Sequence, residues 1–154
     1  MTDAPVHHAT FTITRDFDAP AERVWGAFAS EDLKARWFGA HADATIAERV
    51  FDFRPGGRER AVGHWKNGTV TDFQCLYHDI LDGVRIVYVY DMYVNHWKMS
   101  VSLATIEVEA RGTGSRLTVT EQGAFFGEDG AKNATGRAQG TAWLMDLLGA
   151  TLGD

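Results

Sequence analysis

The run AKNATGRAQGTAWLMDLL, residues Ala131 to Leu148, has helical spacing and follows roughly eighty residues patterned as strands. Its two halves differ in kind. Ala131, Ala134, Gly136, Ala138, Gly140, Thr141 and Ala142 make the first half slender, whereas Trp143, Leu144, Met145, Leu147 and Leu148, broken only by Asp146, make the second bulky and apolar. An apolar surface wider than one stripe predicts burial of that second half. Asp129 stands where it can cap the first amides, and Gly149 offers a left-handed stop. At about 1.5 Å per residue the helix is about 27 Å long, near the width of six strands spaced about 4.8 Å apart. One helix is therefore expected to cross a whole sheet. Its bulky half would close a core, and its slender half, at Gly136 and Gly140, would leave room for a small molecule. The competing reading is tight packing throughout, small residues matching large ones opposite.

Outward from that helix, Phe11, Ile13 and Phe17 alternate with polar residues from Thr10 to Asp18, the period of a half-buried strand. Pro20 then opens a helix that carries Val24, Trp25 and Phe28 on one face, and Ser30 opens a shorter one that carries Leu33, Trp37 and Phe38 inward. Strands resume near Ala44, and Phe53-Arg54-Pro55-Gly56-Gly57 reads as a turn between Ala44 to Phe53 and Arg58 to Trp65.

Two hairpin signals set a register. Asn67-Gly68 as a two-residue turn pairs Trp65 with Val70, His64 with Thr71 and Val62 with Phe73; Asp82-Gly83 pairs Tyr77 with Tyr88, Cys75 with Tyr90 and Phe73 with Met92. Val62, His64, Phe73, Cys75, Tyr77, Tyr88, Tyr90 and Met92 then share one face, and a loop centred on Asn95-His96 extends it to Met99, Val101 and Leu103. Ala104, Ile106 and Val108 break that parity, which places a β-bulge near Leu103 and Ala104. Leu117, Val119 and Glu121 share the parity of the last strand. The order is strand, two helices, six strands, long helix: an α+β domain with a twisted antiparallel sheet whose apolar face meets the helix.

The chain of 154 residues is one domain's length, read as a flexible arm over residues 1–9 and one domain over 10–152. A net charge of −6, with 15 scattered Lys and Arg residues, argues against nucleic acid. The single cysteine and the absence of an apolar leader point to a soluble, cytoplasmic protein with no membrane span.

Several phrases together resemble a known family: Ala19-Pro20-Ala21-Glu22-Arg23-Val24-Trp25, Trp37-Phe38-Gly39, Asp52 to Arg58 with its Pro-Gly-Gly, Arg85-Ile86-Val87-Tyr88, Arg116 to Glu121, and Trp143 to Leu148. Over about residues 10 to 150 the chain is similar to the activator of heat-shock protein 90 ATPase homologue-like family. That family lies within the START and polyketide-cyclase (SRPBCC, birch-pollen-allergen-like) superfamily. The resemblance implies the helix-grip fold, with six or seven strands wrapped around the C-terminal helix and a cavity between them. It does not imply one function, since the fold hosts ligand carriers, cyclases and a co-chaperone domain. A co-chaperone resembles this chain only in its C-terminal half, which disfavours a chaperone partner. Gly140 stands three residues before Trp143, where the family often has a Gly-Trp pair.

For chemistry, His41, His64, His78 and His96 fall on separate elements without metal-ligand spacing, so no metal is expected, nor any cofactor. Gly56-Gly57 lies between strands and lacks the helix of a phosphate loop. Cys75 reads as buried and structural. Phe73, Tyr77, Tyr88, Tyr90, Met92, Met99 and Val101, with His64, Glu121, Gly136 and Gly140, form the candidate ligand-binding set, an apolar wall carrying hydroxyls that need partners. The function this predicts is binding of a small hydrophobic, aromatic or lipid-like molecule. One alternative is a cyclase or dehydratase using Glu121 with a tyrosine; another is a chaperone-regulating module. Catalysis is the less favoured reading. A homodimer through Trp97 or the face of Val87 and Val89 stays open.

Overall fold

A computed structural model describes residues 4–153. Its elements are β1 (Val6–Phe17), α1 (Ala21–Ala29), α2 (Glu31–Lys34), β2 (Ala44–Phe51), β3 (Arg58–Trp65), β4 (Val70–Leu81), β5 (Arg85–Val94), β6 (Trp97–Arg111), β7 (Gly114–Phe126) and α3 (Gly130–Leu152). One antiparallel sheet runs in the order β1-β7-β6-β5-β4-β3-β2, so the only non-sequential neighbours are β1 and β7. This is the helix-grip α+β fold. β1 begins at Val6 rather than Thr10: His7 and His8, read as part of the arm, pair with Phe125 and Ala124. The rest of that arm, at Met1 to Asp3, lies outside the described residues.

Turn chemistry decides which side chains face the core. Trp65 N–H donates to the Thr69 carbonyl, and Gly68 has φ +91°, so the β3–β4 connection holds three residues rather than two. The register therefore slips by one, and Ala61, not Val62, pairs with Phe73, while His64 pairs with Val70. A one-residue slip reverses the faces of β3. Val62 and His64 point outward, and Glu59, Ala61 and Gly63 point in.

The β4–β5 turn also holds one residue more than expected, with Leu81 opposite Arg85. A bulge at His78 absorbs the extra residue, so Tyr77 meets Tyr88, Cys75 meets Tyr90 and Phe73 meets Met92 as the sequence predicts. On β6 the bulge lies at Met99, next to the Asn95-His96 turn, and not near Leu103. Both turn residues have positive φ (49° and 69°), the geometry of a twisted two-residue hairpin. The early bulge puts Ser100, Ser102 and Ala104 on the inner face and turns Val101 and Leu103 outward.

α1 buries Val24, Trp25, Ala27 and Phe28. The Trp37 indole donates to the Ala27 carbonyl at 3.0 Å and pins the chain after α2 against α1. Leu33, expected inward, is exposed, and Lys34 is buried in its place. α3 does not cross the sheet. Gly130 sits beside His7, the Asp146 carboxylate accepts from Arg15 Nε at 2.8 Å, and Gly149 abuts Phe17, so the helix runs along β1, packed on β1 and β7. Asp129 precedes it without a side-chain cap bond, and Gly149 lies inside it. The stop at Gly149 is thus corrected to a contact: a Cβ there would stand 2.8 Å from the Phe17 ring, whereas at Gly136 or Gly140 it would meet nothing within 4 Å.

That contrast is testable by urea denaturation. Gly149→Ala should lower stability by about 1–2 kcal/mol through overpacking. Gly136→Ala and Gly140→Ala should each raise it by about 0.5–1 kcal/mol through helix propensity.

Candidate functional site

α3 packs on β1 and β7, and the inner face of β2 to β5 lies beside it. A cleft of about 810 Å³ opens there. Its sheet wall comes from Ile46, Ala61, Gly63, Phe73, Met92 and Met99, its helix wall from Lys132, Asn133, Gly136, Arg137, Gly140 and Leu144, and the loop before β2 closes one side with Phe38 to His41. Gly63 makes the floor low, because the Trp65 indole folds back over it to donate to Thr71 Oγ1 at 3.0 Å. At the mouth His41 stands between Trp65 and Trp143, with ring centroids 4.8 and 5.5 Å away. Trp143, expected to be buried with the bulky half of α3, is 46% exposed there. Two smaller hollows, about 350 and 540 Å³, flank the end of α3 near Arg23.

Arg137, on the helix wall of the cleft, is anchored to Glu121, which lies behind the lining. The strand parity of Glu121 points it inward, opposite Phe11 of β1 and Ala104 of β6, and it is buried. The protein supplies three donors to it. Tyr90 donates to Oε1 at 2.7 Å, Ser102 to Oε2 at 2.9 Å, and Arg137 of α3 to Oε2 at 3.1 Å. Arg137 also donates to the Tyr90 hydroxyl at 2.8 Å and to Ser100 Oγ at 2.8 Å. Its guanidinium lies 5.3 Å from the Tyr90 ring centre and 5.1 Å from that of Phe125, within cation–π reach. The Arg137 and Glu121 side chains retain only 10% and 4% of their accessible surface. Burial is the largest influence on the Tyr90 phenol and pushes its pKa upward, so it remains a protonated donor.

A second buried carboxylate, Glu59, follows the same logic on the other side of the cleft. Lys34 donates to its Oε1 at 2.6 Å, and the Tyr77 hydroxyl donates to the same oxygen. The Lys34 ammonium also lies 4.9 Å from the Phe38 ring centre. Glu59 Oε2 has no hydrogen-bond partner. Cys75, next to this cluster, is buried, and desolvation pushes its thiol pKa up to about 12.

The sequence profile described as Activator of Hsp90 ATPase homolog 1-like protein matches residues 18–153. The chain belongs to that family. An uncharacterised protein from Rhizobium leguminosarum is 34% identical, with 96% of each chain covered and a TM-score of 0.90. A protein from Rhizobium loti is 40% identical over 96% of this chain and 99% of its own, with a TM-score of 0.86. An AHSA1-like protein from Aeromonas hydrophila, 19% identical over 94% of this chain and 92% of its own, shares the fold at a TM-score of 0.71. No curated protein matches.

Within this Activator of Hsp90 ATPase homolog 1-like fold the candidate residues divide. Phe73, Met92, Met99, Gly136 and Gly140 line the cleft. Tyr90 and Glu121 bond to each other and to Arg137 behind the lining and do not themselves line the cleft. Tyr77 is committed to Glu59 instead, and Tyr88 stands between the Tyr77 and Tyr90 rings. His64 is exposed on the outer face, and Val101 also faces outward, so neither reaches the cleft. Arg137, Lys34 and Glu59 are additions. Glu59 was legible only through the correct β3 register, and Arg137 only by asking which cation could neutralise Glu121.

Two measurements check this chemistry. Arg137→Met strands a buried carboxylate and should cost about 3–5 kcal/mol in urea denaturation, and adding Glu121→Gln should recover much of that loss. The Cys75 thiol holds its proton more tightly folded than unfolded, so its contribution to stability declines as pH rises from about 9 toward 12. Alkylation at pH 8 should be about a thousand-fold slower in the native protein than in the unfolded chain.

Proposed function

We propose that this protein binds a small hydrophobic molecule, aromatic or lipid-like in character, in the cleft between α3 and the inner face of β2 to β5. The observation that carries the reading is an aromatic and aliphatic cleft of about 810 Å³ whose charged lining groups, Lys132 and Arg137, come from α3. That size and pattern are those of small-molecule sites in general. Family membership agrees with it, since the helix-grip fold is compatible with ligand binding.

The alternative reading, an enzyme with Glu121 as general acid or base, is not favoured. Both carboxylate oxygens accept hydrogen bonds from neighbours, and one faces a guanidinium. Such a group is arranged to stay put rather than to exchange a proton with a substrate.

The test uses N-phenyl-1-naphthylamine, a neutral apolar fluorophore, titrated into the protein. Saturable binding is expected, with quenching of the Trp65 and Trp143 emission at the mouth. Gly136→Leu places a side chain in open space and should weaken binding by at least about ten-fold, or 1.4 kcal/mol, while circular dichroism stays native. Failure of the fluorophore to bind, or binding unchanged in a folded Gly136→Leu variant, sinks the reading.

A further inference from the structure

The walls of the cleft are sorted by charge. In a chain whose net charge is −6, the lining includes Lys132 and Arg137 and no acidic residue. Lys132 makes no ion pair or hydrogen bond among the described residues. Arg137 is nine-tenths buried, yet its bonds to Tyr90, Glu121 and Ser100 come from its two terminal nitrogens alone. The Nε–H is unbonded, and so is one of the two hydrogens on the nitrogen that serves Ser100. Among the described residues the one fully enclosed side-chain polar atom without a hydrogen bond is Glu59 Oε2, so the free Nε is open to the cleft that Arg137 lines. Asn133, between the two cations, adds an amide with no partner of its own.

A buried guanidinium with spare donors is a planar receptor for a carboxylate. Glu121, Tyr90 and Ser100 hold it by hydrogen bonds, the Tyr90 and Phe125 ring centres lie 5.3 and 5.1 Å from it, and its Nε–H stays free. From this we infer that the guest is an amphipathic anion: a hydrophobic body against Phe73, Met92, Met99 and Leu144, with a carboxylate on the free donors of Arg137 and on Lys132. The inference rests on the ligand-binding reading above and adds the chemical class of the head group. A neutral apolar guest would leave those donors dry and unpaired.

The experiment compares matched pairs, 2-naphthoate against 2-naphthamide and decanoate against decanol, each displacing N-phenyl-1-naphthylamine at pH 7 and low salt. In each pair the acid is expected to bind at least about ten-fold more tightly, a difference of 1.4 kcal/mol, with the advantage shrinking as salt is raised. The readout is the ratio of the two constants, so any loss common to both cancels. Arg137→Gln with Glu121→Gln, which removes the buried charge pair together, should bring the ratio to within about two-fold. Arg137→Lys keeps a cation beside Glu121 but removes the fork, and should also reduce the ratio if the double variant does not fold. Acid and neutral partner binding alike in the unaltered protein overturns the inference and leaves the ligand-binding reading standing. A ratio that survives in both variants overturns the assignment to Arg137. Failure of the fluorophore itself removes the parent reading and the inference with it.

Discussion

A carboxylate on the inner face of a sheet has to be neutralised from within the protein, and here that demand arises twice. Glu121 on β7 draws Arg137 down from α3, and Glu59 on β3 draws Lys34 in from α2. Each pair ties a helix to the sheet at one defined place, so the helices are held by direction-sensitive bonds as well as by apolar packing. Desolvating such pairs is costly, and equal stability could come from hydrophobic residues of similar volume. What the pairs add is position. One clamps the edge beside β2 and β3, the other clamps α3 to β7, and the cleft is the interval between them.

The division of α3 completes that geometry. Near its C-terminal end, Gly149 lets the helix backbone approach the Phe17 ring closely, Leu148 and Met145 are buried, and Arg23 of α1 donates to the Leu152 carbonyl at 2.6 Å. Near its N-terminal end, Gly136 and Gly140 have open space where side chains would be. The helix touches the sheet near its start as well, where Gly130 lies against the Phe125 carbonyl and His7, so the open space at Gly136 and Gly140 is a local gap between two contacts. The glycines of the slender half leave that gap unfilled.

Element order and the apolar faces of β4, β5 and β7 were legible in the sequence because they rest on period-two alternation, which survives errors at turns. Faces that depended on counting turn residues were not equally safe. Both hairpins hold one residue more than their Gly-containing dipeptides suggest, yet β5 retains its expected partners because the bulge at His78 cancels the error, while β3, with no bulge, is reversed. That single difference removed His64 from the inner face and put Glu59 there. At Met99 the apolar side chains continue across the bulge, so periodicity alone could not locate it. Arg137 was invisible for another reason. Among glycines and alanines on a helix, a lone arginine has the pattern of a solvated side chain, and its role emerges only when Glu121 is known to be buried below it.

Selectivity in such a cleft is expected from its charged lining groups rather than its apolar walls. Apolar contacts discriminate weakly, about 1–3 kcal/mol for a methylene gained or lost, and flexible Met92, Met99 and Leu144 would blunt even that. A buried hydrogen-bonding group is stricter, because an ill-matched guest leaves it desolvated and unpaired. Arg137 is already oriented by Glu121, Tyr90 and Ser100, so little side-chain entropy remains to be lost when a guest arrives. On the proposed reading, the same bonds that keep a buried carboxylate tolerable would prepare its partner to recognise something else, and a residue that anchors α3 would become the most discriminating surface in the cleft.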